Sequence, residues 1–342
     1  MQKSKLQQFK AYFLEDPNLV RLFLIMVVSF VSMAAINPSK FLSINNLQSM
    51  ATQFPEIGIL AIAVSLAMIL GGINLSVVGM ANLSGILCCL TTIQLVPVIG
   101  NWPAILVGVI VALLVGTAGG FLNGILISRV GIPAMLATLG SQEIFMGIGI
   151  AITSGAAVFG MPDEFTFIGG GYLLGIPGPL VVFVLVVLAF SILLQRRKYG
   201  LELFLVGTST KAAHFSGISN DRVVIMTHVL GGILSAIAGI IIASRTNSAK
   251  ASYGSSYVLQ CLLIAILGGI NPAGGYGKVA GVVMAVLTLQ FLSSGFNMLR
   301  VDSYFKTFIW GAVLVGAMII NHFTNRYAER KKNKKSLQAL KQ

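Results

Sequence analysis

Apolar residues along this chain fall into runs much longer than a soluble core requires. The first extends from Leu19 to Ile36. Others follow at about Pro55 to Leu70, Val77 to Val98, Ala104 to Ser128, Pro133 to Ser154, Pro179 to Leu194, Val223 to Ser244, Tyr257 to Ile270, Val279 to Phe296 and Tyr304 to Asn321. A hydrocarbon core about 30 Å thick takes roughly 20 apolar helical residues, so the pattern predicts about ten transmembrane helices and leaves almost nothing for a soluble domain. The second and eighth runs are short and bounded by Gly-Gly, as broken or re-entrant segments lined by protein would be. The first run is too long for a signal h-region, follows Glu15 and Asp16, and precedes Asn37-Pro38 without a small-x-small site, so it reads as a retained span. The expected fold class is an all-α polytopic membrane protein with one transmembrane domain over residues 1–342.

The polar intervals set the expected orientation. With both termini cytoplasmic, eighteen basic residues lie inside, including Arg196, Arg197, Lys198 and seven between Arg326 and Lys341. Five lie outside: Lys40, Arg245, Lys250, Arg300 and Lys306. Cationic loops resist translocation, so this bias favours an even number of spans. It also accounts for the net charge of +13 without nucleic acid, because the basic residues sit in short loops and a basic cytoplasmic tail, 323–342, beside apolar runs. A composition of 56% hydrophobic and 10% charged residues agrees with a chain dissolved in a bilayer. The extracellular loop 155–178 carries Asp163 and Glu164. The cytoplasmic loop 196–222 holds two apolar stretches, Gly200 to Gly207 and Lys211 to Ile218, which predict one or two short helices bounded by glycines. Exposed Phe and Leu there suit a protein partner; a loop tucked under its own bundle is the competing reading.

Chemistry-bearing residues are sparse. Cys88, Cys89 and Cys261 show neither disulfide nor metal spacing, and no His, Asp or Glu recurs at ligating intervals. Glu143, beside Gln142, is the only acid near mid-span, either a pathway contact or a packing hydrogen bond; Glu56 and Asp302 fall near membrane edges. The nearest approach to a phosphate-binding loop, Gly274 to Val279, lacks the first glycine and the Ser or Thr after Lys278. No ATPase site and no bound cofactor are therefore expected of this chain. Amides and hydroxyls on apolar spans are the pathway candidates: Asn74, Ser76, Asn82, Asn123, Thr138, Gln142, Gln260, Gln290 and Asn297, each with interhelical bonding as the alternative. Gly116 with Gly119-Gly120 and Gly231-Gly232 predict close helix contacts. A five-residue echo, Leu70 to Asn74 against Leu267 to Asn271, suggests an internal repeat.

Four sets of residues, in order, carry a resemblance. They are Gly71-Gly72-Ile73-Asn74-Leu75-Ser76 with Leu83-Ser84-Gly85; Asn123-Gly124 with Ile132-Pro133 and Ala137-Thr138-Leu139-Gly140; Val206-Gly207 with Ala212-Ala213 and Ser216-Gly217-Ile218; and Leu267-Gly268-Gly269 with Gly274-Gly275-Tyr276-Gly277. From about Phe41 to Asn321 the chain resembles the inner-membrane permease subunits of bacterial ABC importers for ribose, xylose, arabinose, galactose and autoinducer-2. The resemblance implies a two-permease, two-ATPase importer, fed by an extracytoplasmic binding protein and working by alternating access, with ATP and Mg used by the partner ATPase. It implies that Gly207, Lys211, Ala212, Ala213, Phe215, Ser216, Gly217 and Ile218 form the segment that docks on the ATPase, and that Asp163 and Glu164 face the binding protein. The family usually has Asp where Asn74 stands, and Asn271-Pro272-Ala273 is unusual, a drift found in permeases paired with a non-identical partner. The rival expectations are a stand-alone carrier or channel for a small polar solute, a membrane enzyme acting on lipid-linked sugars, and a membrane scaffold.

Overall fold

The computed structural model describes residues 17–319 except 174, 303 and 317. The order is α1 (Pro17–Ile36), α2 (Pro38–Phe41), α3 (Ile44–Ile69), α4 (Val77–Ile99), α5 (Asn101–Ser128), α6 (Ala134–Thr153), α7 (Asp163–Gly170), the hairpin β1 (Tyr172–Leu173) and β2 (Ile176–Pro177), α8 (Gly178–Arg196), α9 (Lys198–Thr208), α10 (Thr210–Phe215), α11 (Asn220–Thr246), α12 (Tyr257–Leu267) and α13 (Val279–Met298). A short apolar helix, α14 (Tyr304–Gly316), follows. Among the described residues, eight helices are long and apolar enough to cross a bilayer: α1, α3, α4, α5, α6, α8, α11 and α13. The chain is an all-α polytopic membrane protein.

Of the ten expected spans the second is longer than its run, the eighth is too short to cross, and the tenth extends beyond the described residues. The second run is neither short nor broken: α3 is one 26-residue helix that passes through Pro55. Proline removes one donor from the ladder without ending it, and the polar face Asn45, Gln48, Ser49 and Thr52 conceals the first turns from a hydropathy reading. Ser43 caps the start, accepting from the Asn46 amide at 3.3 Å. The eighth run is indeed short. Helix α12 has 11 residues, about 16 Å at 1.5 Å per residue, half a hydrocarbon core. The run beginning at Tyr304 is helical to Gly316, and its end lies outside the described residues. Both copies of the Leu-Gly-Gly-Ile-Asn echo end a helix, but one residue out of register. The left-handed residue is the first glycine of one copy, Gly71 (φ 90°), and the second glycine of the other, Gly269 (φ 81°).

Helix α11 is the hub, packed on α5, α4, α3 and α7. Its seam with α5 is closed by small residues. Gly116 lies on the Gly232 carbonyl, Gly120 on the His228 carbonyl and Gly124 on the Ile225 backbone, with no room for a Cβ. Such four-residue spacing lets two backbones meet, which drives association where lipid removes the hydrophobic incentive. The main core lies between α3, α11, α12 and α13, with Phe183 and Phe190 of α8 against it. Gly120→Val is therefore expected to cost about 2–3 kcal/mol and to lower the thermal unfolding midpoint in detergent. Gly147→Ala, where a Cβ meets nothing within 4 Å, should leave it unchanged.

Candidate functional site

The candidate residues gather where the chain leaves the helix after α3. After Gly71 the backbone stays off the helix until Val77 and climbs beside α6, with Gly72 against Ala134. A peptide group off the ladder finds no water in a bilayer, so neighbouring side chains must satisfy it. The Leu75 amide donates to Thr138 Oγ1 at 3.1 Å and the Gly79 amide to Gln142 Oε1 at 2.8 Å. Thr138 Oγ1 lies 3.0 Å from the Ile73 carbonyl. Asn74 Oδ1 accepts from the Ser76 amide at 3.0 Å and from its hydroxyl at 2.7 Å, and Asn123 Nδ2 donates to Ser76 Oγ at 2.8 Å. Asn74, Ser76, Asn123 and Thr138 are at most 1% exposed. Five of the pathway candidates thus form one seam joining α4, α5 and α6. Both bonds at Asn74 use its oxygen as acceptor, a role a carboxylate would fill as well, so the amide holds the turn without burying a charge. Among the described residues, Asn123 Oδ1 and, on α11, His228 Nε2 are buried without a hydrogen-bond partner.

Two further pathway candidates lie elsewhere. Asn297 is exposed near the end of α13 and accepts from Lys306 Nζ. Glu143 is the tenth of the 20 residues of α6 and is exposed. No hydrogen bond or ion pair within the described chain engages it, so the packing bond considered from sequence is not made here. A charge at that depth costs about 2.5–3.5 kcal/mol against lipid.

A second break follows α11. Residues 247–256 leave the helix, and Asn82 Nδ2 donates to the carbonyls of Ala251 and Tyr253, both at 2.8 Å. Beside it, Arg245 clasps Glu56 through Nε and Nη2, each at 3.0 Å, while the Tyr257 hydroxyl donates to Glu56 Oε1 at 2.8 Å. This cluster ties α3, α11 and α12 together. Sequence reasoning placed Glu56 at a membrane edge; it is 1% exposed. The available signal was an acid and a base in two spans, each needing a partner, but 189 residues separate them. Gln260 and Gln290 line a cavity of about 30 Å³ with Ser293, Phe54 and Trp310, large enough for water and too small for a sugar ring. Among the described residues no three His, Cys, Asp or Glu side chains converge as a metal would require.

At the end of the bundle carrying α9 and α10, the two apolar stretches form helices. Gly207 lies within α9 and does not bound it, because it fills a backbone junction. The Gly275 amide donates to the Ile69 carbonyl at 2.8 Å, and a Cβ on Gly207 would strike both, while one on Gly274 would strike the Gly207 carbonyl. Leu203, Val206 and Ala213 face the bundle and are buried. Lys211, Ala212, Ser216 and Gly217 are exposed and Ile218 half-buried. Ser209 Oγ accepts from the Ala212 amide at 3.3 Å, and Gly217 (φ 79°) closes α10 in the left-handed conformation that glycine adopts freely. Phe215 is 90% exposed. The loop is therefore packed on one face and open on the other. At the opposite end, Asp163 and Glu164 form the first turn of α7, which is pinned to α11 by Ser244. The Asn101 amide bonds Glu164 at 2.9 Å and holds its carboxyl below the usual range.

Two stability measurements test these arrangements. Thr138→Val strands the Leu75 amide and is expected to destabilise by about 1–3 kcal/mol in detergent unfolding. Arg245→Met leaves the Glu56 carboxylate buried and unpaired, at about 3–5 kcal/mol. Adding Glu56→Gln to Arg245→Met should recover much of that loss, whereas a simple packing role for Arg245 would give no recovery.

Residues 46–320 match the family described as branched-chain amino acid transport system / permease component. The ribose import permease of Bacillus subtilis (strain 168) is 31% identical over 301 residues, covering 87% of this chain and 91% of that one. The ribose import permease of Escherichia coli (strain K12) is 30% identical over 317 residues, 92% of this chain and 95% of its own. The autoinducer 2 import system permease of Yersinia pseudotuberculosis (serotype O:3, strain YPIII) is 29% identical over 323 residues, 91% of this chain and 95% of its own. No solved structure matches. With eight helices long enough to span among its described residues, a polar seam where the first break falls, and a match over most of its length, the chain belongs to this family of transport-system permease components.

Proposed function

We propose that the chain is the membrane-spanning permease subunit of an ATP-driven ABC importer for a monosaccharide or sugar-like solute. The ribose and autoinducer 2 import permeases among its relatives support the solute class. The observation that carries the ATP-driven part is the open face of α9 and α10, built directly on the junction of Gly71, Gly207 and Gly274-Gly275. A separate ATPase docks there on the cytoplasmic side, the side favoured by the basic bias. Its closure on ATP and Mg pulls that face, and the junction passes the movement to the ends of α3 and α12. A second permease, identical or not, completes the pathway, and an extracytoplasmic binding protein delivers solute near Asp163 and Glu164. Selection falls largely to that binding protein, which suits a permease with amides and few charges on its spans.

Affinity purification of the tagged protein in mild detergent, with mass spectrometry of what copurifies, tests the reading. An ATPase should be recovered and should be lost with Phe215→Asp at unchanged yield and thermal midpoint. Phe215 is a cleaner probe than Ala213, which is packed against the bundle. Recovery of the chain alone under several gentle conditions, with solute flux that needs no ATP, would instead establish a stand-alone carrier.

A further inference from the structure

The seam fixes more than a turn. Thr138 and Gln142 lock the rotation of α6, whose buried residues are Ala137, Thr138, Ser141, Phe145 and Gly149. At 100° per residue, Leu136, Gly140, Glu143 and Gly147 fall within roughly 60° of one another on the face directly opposite. That face is open: a Cβ at Gly140 or at Gly147 would meet nothing within 4 Å. The exposed faces of other outer helices suit acyl chains, with Leu106, Ile110 and Leu114 on α5 and Val184, Leu185 and Leu188 on α8. The face of α6 does not, because a carboxylate stands at its midpoint. Among the described residues of the eight spans, Glu143 is the one exposed ionisable side chain more than two turns from a span end.

We propose that this face borders a water-filled path shared with a second permease subunit, and that Glu143 is its charge filter, admitting neutral polyhydroxylated solutes and turning away anionic ones such as phosphorylated or carboxylated sugars. The proposal rests on the importer reading above and adds which helix borders the path and what passes it. Hydroxyl groups donate to the carboxylate, so a neutral polyol exchanges water for an equivalent partner. An anion meets like charge where the surroundings screen it less than bulk water does. The filter acts after release from the binding protein, as a second discrimination independent of the first.

The test uses the complex recovered with its ATPase, reconstituted in liposomes, and two small methanethiosulfonate probes, one cationic and one anionic. Gly147→Cys places a thiol one turn from Glu143 in open space, and the native Cys88, Cys89 and Cys261 are fully buried, so the parent chain supplies a low background. The thiol should be modified faster by the cationic probe. Glu143→Gln should lower the cationic-to-anionic rate ratio about tenfold, the change expected from one unit charge at this spacing in a hydrated path, and Glu143→Asp should preserve it. A ratio that Glu143→Gln leaves unchanged overturns the filter. A Gly147→Cys thiol that neither probe reaches while the ATPase stays bound removes α6 from the path and leaves the importer reading standing. Failure to recover any ATPase counts against the importer reading itself.

Discussion

A peptide group that leaves the helix ladder inside a bilayer has no water to turn to, and at two breaks among the described residues side chains take the place of that water. At the first break the Leu75 and Gly79 amides are taken up by Thr138 and Gln142, and the turn at Asn74 is held through Ser76 by Asn123. At the second break Asn82 takes two carbonyls, and the Glu56, Arg245 and Tyr257 cluster holds the start of α12. These side chains come from helices that otherwise meet through small residues, so the arrangement of the bundle follows from where its irregular backbone must be served. The polar residues of the spans are thereby explained in large part as structure. Glu143, exposed at mid-span, is not among them, and for that reason it stands out as a functional candidate.

The same breaks give the bundle its handles. Helix α3 ends at α9, where its Ile69 carbonyl meets Gly207, and the loop that follows α12 returns to the same point through Gly274 and Gly275. Contact is between backbones, without an intervening side chain whose rotamers could absorb the displacement. A partner docked on the far side of α9 and α10 would thus be mechanically close to the seam, although Phe215 itself touches neither break.

Much of this was legible in the apolar runs. Seven of the eight long helices lie close to the runs that predict them, because 20 apolar residues in sequence have few other homes in a folded chain. The start of α3 was concealed by Pro55 and by amides that a hydropathy reading takes for a loop. The seam residues were visible as amides and hydroxyls on apolar spans, but their role was not, since helix rotation is fixed by neighbours and not by periodicity. The apolar content of 196–222 pointed to a surface in contact with something. Only the structure separates Leu203 and Ala213, which face inward, from Phe215, which faces out. The Glu56 and Arg245 pair was beyond reach, because nothing local in either segment refers to the other. The repeated Leu-Gly-Gly-Ile-Asn misled by one residue: its glycines serve the same kind of helix end at different positions.

The junction of Ile69, Gly207 and Gly275 also bears on how the protein is made. Its three parts are separated by well over a hundred and by some seventy residues of chain, so α3 is synthesised long before the Gly275 amide that satisfies its last carbonyl exists. During synthesis the end of α3 must wait, and the α9 surface stays unfinished until α12 has entered the membrane and turned back. An ATPase that reads this surface would therefore be offered it only by a permease whose membrane part is almost complete, which makes the junction a checkpoint on assembly order as well as a mechanical link.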